Sequence, residues 1–453
     1  MNVPDPPPRS KRLRQAAMVF LVSALIALAF CVTVPTRFRE DAGTDYKAFY
    51  KPVAENILRG SGVVLDAGKP AVRYPPGYSM LLAWGFWVSS PLGISRDSAV
   101  IVMNVLSLGI VNMLVFLGCS HFWGTRGGLL VVFLWATYPL NLFFCVYPSP
   151  EIPFELFLYA ALLVFYWSLR RSRHQWAPFL ACGILVGCAM LIRPIALFLS
   201  VALGICLLWI KSCLPWGKRL GFAAVILVSA FLTILPWEIR IYRQTGRVVL
   251  LGTLGVSALK DGLTFGASGR ASRHGVALPK DVREVMVDIK SRAGDIKTYA
   301  DVTKVLGDQT RKRPMAVLKL FAIKIARSWY GTDSQRWETP IAIVQALYLA
   351  LVLWASVRAW RAGGDQRQLA SGVWIIVLYF WAMNVMSATT ARYAAPTMAL
   401  LFALVPALLV RLRGFSPLGV PSAASAGLGS PAGPSTLCGD SREPISQNGS
   451  RVS

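Results

Sequence analysis

Charge is what this sequence has least of. Asp, Glu, Lys and Arg make up 15% of its 453 residues, where a soluble domain of ordinary composition carries about a quarter. The shortage falls hardest on acids, with 22 Asp and Glu against 47 Lys and Arg and a formal net charge of +25. Histidine is rarer still, and His121, His174 and His274 do not cluster. The eight cysteines form no framework. Cys31, Cys145, Cys182, Cys188 and Cys206 lie inside apolar runs, Cys119 and Cys213 at or near the ends of such runs, and Cys438 in a polar tail. No spacing matches a zinc site or a redox CxxC. P-loop, GxSxG, HExxH and GxGxxG patterns are absent, which argues against ATP-driven transport and the common hydrolase classes.

What is abundant is apolar sequence, at 55% of the chain. Runs of roughly 20 apolar residues recur, each long enough to cross a hydrocarbon core of about 30 Å. The excess of Lys and Arg then reads as the cytoplasmic bias of membrane-protein loops rather than as a nucleic-acid surface. The N-terminal "RSKRLR" before "QAAMVFLVSALIALAFCVTVP" has the charge order of a signal peptide. Its apolar part is longer than the typical h-region of about 7–15 residues, and no clear A-x-A site follows. It reads as a retained first transmembrane helix.

Charge at the segment ends sets a topology. Expected spans lie near 15–35, 98–119, 127–147, 152–169, 176–192, 194–210, 219–237, 339–358, 369–387 and 393–411. The loops "HFWGTRG", "RRSRHQ", "KSCLPWGKR", "VRAWRAGGDQRQ" and "RLRG" then all fall on the cytoplasmic side, as the positive-inside rule requires. Two segments fit poorly as spans: 75–93, broken by Pro and Gly, and 315–330, which carries Lys319, Lys324 and Arg327. Both read as helices lying at the membrane surface, with Lys, Arg and Trp at headgroup level. The expected fold is an all-α polytopic membrane protein of about ten transmembrane helices with both termini cytoplasmic. Its parts are a basic N-terminus (1–14), an N-terminal membrane module (15–237) with an outer loop at 36–97, and an outer region with an interfacial helix (238–338). The last helices (339–411) and a disordered Gly/Ser/Pro-rich cytoplasmic tail (412–453) complete it.

Because acids are scarce, those at the outer boundary stand out. The first loop holds Glu40, Asp41 and Asp45. From Asp45 onward, Tyr46, Phe49, Tyr50, Val53, Ala54, Ile57 and Leu58 share a stripe at helical spacing. Asp45 would sit in the first turn of that helix, with Thr44 as its N-cap, and its bland role is to cap the helix or balance its dipole. Glu151 precedes the fourth expected span in "YPSPEIPFELF", with Glu155 one turn deeper. An ionisable group at that depth is a functional candidate, although a helix N-terminal acid explains Glu151 equally well. On the same side lie Arg193 in "LIRPIALF", Arg240 and Arg243 in "PWEIRIYRQTG" and Arg392 in "ARYAAP". Singly each could snorkel to headgroups; several on one face could bind a phosphate or pyrophosphate.

The order "TDYKAFYKPVAENILRGSG…RYPPGYSMLLA", "YPSPEIPFELFL", "LIRPIALFL", "LPWEIRIYRQTGRVVLLGT", "ARYAAPTMALL" resembles the GT-C membrane glycosyltransferases. It is most similar to bacterial relatives of dolichyl-phosphate-mannose protein mannosyltransferase and of the lipid A aminoarabinose transferase. The resemblance runs from about residue 15 to 411. It implies a GT-C bundle that moves a sugar from a polyprenyl-phosphate carrier to a lipid, glycan or protein acceptor of the envelope. The setting it implies is the outer face of a bacterial inner membrane, with membrane lipid and no nucleic acid as partner. By the same resemblance, Asp45 matches the general base and Glu151 a second catalytic acid, Glu here in place of the commoner Asp. Arg193, Arg392 and Arg240 match donor-phosphate contacts, and Tyr46, Tyr50, Tyr74, Pro76 and Tyr78 belong to the substrate loop.

The sequence departs from the family in places. Tyr74 stands where the aminoarabinose transferase has a metal-binding Glu, so no metal ligand is assigned. A divalent metal stays open, with His274 and Glu40 as candidate ligands. Ile241 replaces the amide of the family's "RNY", and the WWDYG signature of oligosaccharyltransferase catalytic subunits is absent. A transporter or flippase of lipid-linked sugars is the competing class. It would ordinarily show internal repeats with paired broken helices, and no comparable halves are visible.

Overall fold

The computed structural model describes residues 9–35, 45–65, 68–170, 176–210, 215–267, 277–333, 335 and 337–410. Among them the regular elements are helical, apart from one antiparallel bridge between Val64 and Pro70. This all-α architecture is the one the apolar runs require, because a backbone in lipid must satisfy its own N–H and C=O groups.

Helix α1 (Arg9–Thr33) buries Ala16, Val19, Ser23, Ala27 and Cys31, a seam recurring every three to four positions. The chain is next described at Asp45, where a π-type turn (Tyr46–Tyr50) runs straight into α2 (Lys51–Leu58). The expected stripe is the buried face: Tyr46, Phe49, Tyr50, Val53 and Ala54 are covered, and only Leu58 at the end is exposed. Thr44, the expected cap, lies outside the described residues, as do Glu40 and Asp41. Helix α3 (Gly77–Ser89) has 13 residues, about 20 Å of rise and too short to cross. It buries Tyr78, Leu82 and Phe86 and exposes Met80, Trp84 and Trp87, the two faces expected of a helix lying along lipid.

Helix α4 (Arg96–Ala136) is 41 residues long but is broken at Gly124, whose φ of 75° and ψ of 172° no helix contains. Only glycine takes that geometry without strain. The first arm corresponds to the span expected at 98–119, whereas the one expected at 127–147 is split between the second arm, which ends at Ala136, and a separate short helix. A short α5 (Pro139–Val146) leads to α6 (Glu151–Arg170), then α7 (Trp176–Ile192), α8 (Leu199–Trp209) and α9 (Trp216–Thr245). Helices α7 and α9 approach closely because Gly183 and Gly187, one turn apart, face Ile226, Ser229, Ala230 and Thr233, a small-residue packing typical of membrane helices. Helix α9 continues two turns past the expected end at 237 and stops at Gly246 in a left-handed cap.

Residues 254–327 build a second small core from α10 (Leu254–Thr264), α11 (Lys280–Ser291), α12 (Tyr299–Lys312) and α13 (Pro314–Arg327). Val282, Val285, Met286, Ile289, Val317 and Leu320 are its centre. The expectation that 315–330 lies on the membrane surface with its cations in the headgroups is corrected in part. Lys319 is exposed and pairs with Asp281 at 2.8 Å, but Lys324 and Arg327 are buried. They face the protein because carbonyls and a carboxylate await them there.

Helices α14 (Glu338–Ala362) and α15 (Gly364–Met386) follow. The stretch expected as a span at 393–411 is a chain of short pieces: α16 (Ala391–Ala394), α17 (Met398–Phe402) and 3-10 turns at Ala395–Thr397 and Val405–Leu408. Pro396 and Pro406 interrupt it, and Ala394 through Ala399 are buried throughout. Among the described residues six helices, α1, α4, α6, α9, α14 and α15, are long and apolar enough to cross a membrane, and Trp176–Ile192 and Pro194–Trp209 are shorter apolar helices.

Candidate active site

The first residue of α6 is the centre of the site. Glu151 is fully buried, and its Oε1 lies 3.2 Å from Nη1 of Arg193. Arg392 donates through Nε to the same oxygen. Arg193 is held in place by aromatic faces, with Tyr393 4.6 Å and Phe154 5.7 Å from its guanidinium carbon. Two guanidiniums on one carboxylate leave one net positive charge. Arg193 is almost fully buried, whereas Arg392 keeps about a quarter of its side chain exposed, 26%.

Asp45 approaches from the other side of this cluster. The Tyr74 hydroxyl donates a hydrogen bond to its carboxylate; burial first, and then the charge of Asp45, push the Tyr74 hydroxyl above its ordinary pKa. Tyr50 sits between the acids and the cations: Arg392, Asp45 and Glu151 all act on its hydroxyl electrostatically, and burial raises its pKa most. Its ring packs on Phe49, Tyr74 and Tyr78 with centroids 5.5, 5.0 and 4.9 Å away. This aromatic cluster is buried, and Asp45, Glu151 and Arg392 all lie near it.

Local sequence explains how these side chains are delivered. The Pro75–Pro76 pair is buried and Pro76 caps α3. Gly77 then lies so close to α7 that a Cβ there would stand 2.6 Å from the Leu191 carbonyl oxygen. This contact seats the loop against the two residues that precede Arg193. Arg193 itself is extended, at φ −140° and ψ 123°, because Pro194 forbids helix at the residue before it. Farther along, Thr253 N–H bonds the Val72 carbonyl at 3.0 Å, so the region after α9 braces the strand of chain that carries Tyr74.

Four expected site residues, Asp45, Glu151, Arg193 and Arg392, therefore meet in one cluster with Tyr50, Tyr74 and Tyr78. The structure does not bring Arg240 to Glu151: its guanidinium donates to the Val63 carbonyl at 3.2 Å and holds the first loop. Tyr46 also faces elsewhere, donating to Asp97 at 2.9 Å, where Lys51 pairs at 3.0 Å. This clamp fixes α2 onto the start of α4. Glu155 is fully buried beside Arg193 and Glu151, and neither of its carboxyl oxygens is hydrogen bonded among the described residues. His274 and Glu40, the candidate metal ligands, lie outside the described residues. Among the described residues no three His, Cys, Asp or Glu side chains gather as a metal site. Sequence reasoning missed Tyr393 as a partner of Arg193; it sits beside Arg392, and only that neighbourhood hinted at it.

Comparison with known proteins identifies the fold. The family model for dolichyl-phosphate-mannose-protein mannosyltransferase matches residues 75–237, a stretch that contains Glu151 and Arg193 but neither Asp45 nor Arg392. No curated protein sequence matches the chain. The oligosaccharyltransferase of Archaeoglobus fulgidus, solved with a tethered acceptor peptide, is similar in structure at a TM-score of 0.55 and 13% identity, over 88% of this chain and 50% of that one. The same archaeal enzyme, AglB, solved with an inhibitory peptide and a dolichol-phosphate, gives 0.54 at 13% identity, over 88% of this chain and 50% of that one. ArnT from Cupriavidus metallidurans bound to undecaprenyl phosphate gives 0.41 at 13% identity, over 88% of this chain and 78% of that one. The chain spans about half the length of the archaeal structures it matches. The chain is an all-α, multi-pass membrane protein with the GT-C fold of membrane glycosyltransferases, and in its N-terminal half it resembles the protein mannosyltransferases in sequence.

Proposed function

We propose that this protein is a membrane glycosyltransferase that moves a sugar from a polyprenyl-phosphate carrier to an envelope acceptor, lipid, glycan or protein. In this reading it works on the face of a bacterial inner membrane turned away from the cytoplasm. The observation that carries the reading is the meeting of Asp45 with the Arg193–Glu151–Arg392 cluster across the Tyr50 ring. A base and a net cationic pocket side by side are what displacement of a phosphate at a sugar carbon needs.

The acceptor hydroxyl attacks the anomeric carbon as the bond from that carbon to the phosphate oxygen breaks. Asp45 takes the hydroxyl proton, and the two bonding electrons leave with the lipid phosphate. A single in-line displacement inverts the anomeric centre. Arg193 and Arg392 bind the phosphate and stabilise the charge it gains, in surroundings where water competes little. Glu151, expected from sequence as a second catalytic acid, acts here by holding both guanidiniums in register. Tyr74 orients the Asp45 carboxylate through its hydrogen bond.

The test uses purified protein in detergent with a labelled polyprenyl-phosphate sugar. Release of polyprenyl phosphate with transfer of label supports the reading, and its loss in Asp45→Asn assigns the base. Movement of intact donor across a vesicle membrane without cleavage would instead make the protein a flippase.

A further inference from the structure

Unusual backbone geometry in this chain gathers around one guanidinium. Among the described residues, non-glycine positive φ occurs at Leu251, Gln335, Trp337 and Thr389. Such residues are strained and persist only where their surroundings over-determine them. Three of the four lie in the two segments that Arg327 ties together. Its Nε and Nη2 donate to Glu338 Oε1 at 3.1 and 2.7 Å, its Nη2 to the Thr332 carbonyl at 2.7 Å and its Nη1 to the Thr389 carbonyl at 2.8 Å.

One turn earlier on α13, Lys324 is fully buried and donates to the carbonyls of Gly262 at 2.9 Å and Ser387 at 3.3 Å. A third bond runs from Ala391 N–H to the Gly331 carbonyl at 2.8 Å. All three fasten residues 387–391, the short stretch directly before Arg392. A buried ion pair is weak evidence for stability, since apolar packing of equal volume often does as well. Two buried cations that each place a donor on the same five-residue segment point instead to placement.

We propose that Arg327 and Lys324 are positioning residues for Arg392. By fixing the carbonyls of Thr389 and Ser387 they set the backbone from which Arg392 reaches Glu151. They thereby couple the 254–338 region to anion binding at that cluster. The proposal rests on the reading of Arg392 as a contact for the donor phosphate.

The experiment measures binding of undecaprenyl phosphate to the full chain in detergent, with the melting temperature recorded for each variant. Arg327→Lys and Lys324→Met are expected to weaken binding by the folded fraction about tenfold. Adding either to Arg392→Ala should weaken binding no further than Arg392→Ala alone, because coupled residues are not additive. Lys324→Met exchanges a buried cation for an apolar chain of similar length and stays measurable if Arg327→Lys does not fold. Unchanged affinity with a lowered melting temperature, or full additivity in the double variants, overturns the proposal. If the wild-type chain itself does not bind undecaprenyl phosphate, the phosphate reading fails and the proposal falls with it.

Discussion

Glu151 serves two guanidiniums through one oxygen: Arg193 Nη1 stands 3.2 Å from Oε1, and Arg392 Nε donates to the same atom. The pairing joins α6, the turn after α7 and α16, so its strength bears on stability as well as on binding. Replacing Glu151 by Gln leaves two cations facing each other with no anion between them. Removing one partner of a buried pair costs about 3–5 kcal/mol. Thermal unfolding of the detergent-solubilised variant should show a marked drop, partly recovered by a phosphate-bearing lipid. An unchanged melting temperature would mean that the carboxylate contributes no such bond.

Asp45 and Tyr74 should separate in their effects. Asp45→Asn removes the proton acceptor and is expected to lower turnover about 10²–10⁴-fold, with little change in melting temperature because Asp45 is only half-buried. Tyr74→Phe removes one hydrogen bond, about 1 kcal/mol, and is expected to lower turnover no more than about tenfold. Equal losses in the two variants would argue that the tyrosine, not the carboxylate alone, handles the proton.

Gly77 tests the seating of the first loop. Gly77→Ala places a methyl group 2.6 Å from the Leu191 carbonyl oxygen, an overlap that costs about 1–3 kcal/mol when the backbone must yield. Binding at Arg193 should weaken with it. On the same helix, a Cβ at Gly85 meets nothing nearer than Met103 Sδ at 3.8 Å, so Gly85→Ala is expected to leave binding unchanged and to raise stability slightly, by at most about 1 kcal/mol.

Lys324 gives a pH dependence of definite sign. Burial first, and the nearby charge of Arg327 second, lower its pKa from 10.5 to about 7. Between those values the unfolded chain holds a proton that the folded chain has released. Stability therefore rises with pH across that window, by about 1.4 kcal/mol per unit, and is lowest below about pH 7. Across that window the melting temperature of the wild type should fall toward acid pH more steeply than that of Lys324→Met. Parallel curves would show that Lys324 keeps its proton through the whole range.

Much of the site was legible because an acid or an arginine among apolar residues is conspicuous. Asp45, Glu151, Arg193 and Arg392 each break an apolar context, and the lipid forces such groups inward or to the boundary. Lys324 and Arg327 were not legible in the same way. A helix with cations on one face reads identically whether those cations meet headgroups or carbonyls, and the Arg327 partner Thr389 lies 62 residues away. The place of Arg240 was not legible for the complementary reason: its acceptor is a backbone carbonyl, Val63, which leaves no side-chain signature. The all-helical fold followed from the apolar runs. The breaks at 391–408 did not, because Pro396 and Pro406 signal an interruption without saying that the pieces on either side are buried within the bundle.

The two ends of the Glu151–Arg392 pair are 241 residues apart in the chain. During synthesis, Glu151 and Arg193 enter the membrane long before Arg392 is made, and in that interval the pair is electrically neutral. The net positive charge that would attract a phosphate arrives only with the C-terminal pieces. If the cluster binds a lipid-linked phosphate as proposed, a chain lacking those pieces would carry no net positive charge there.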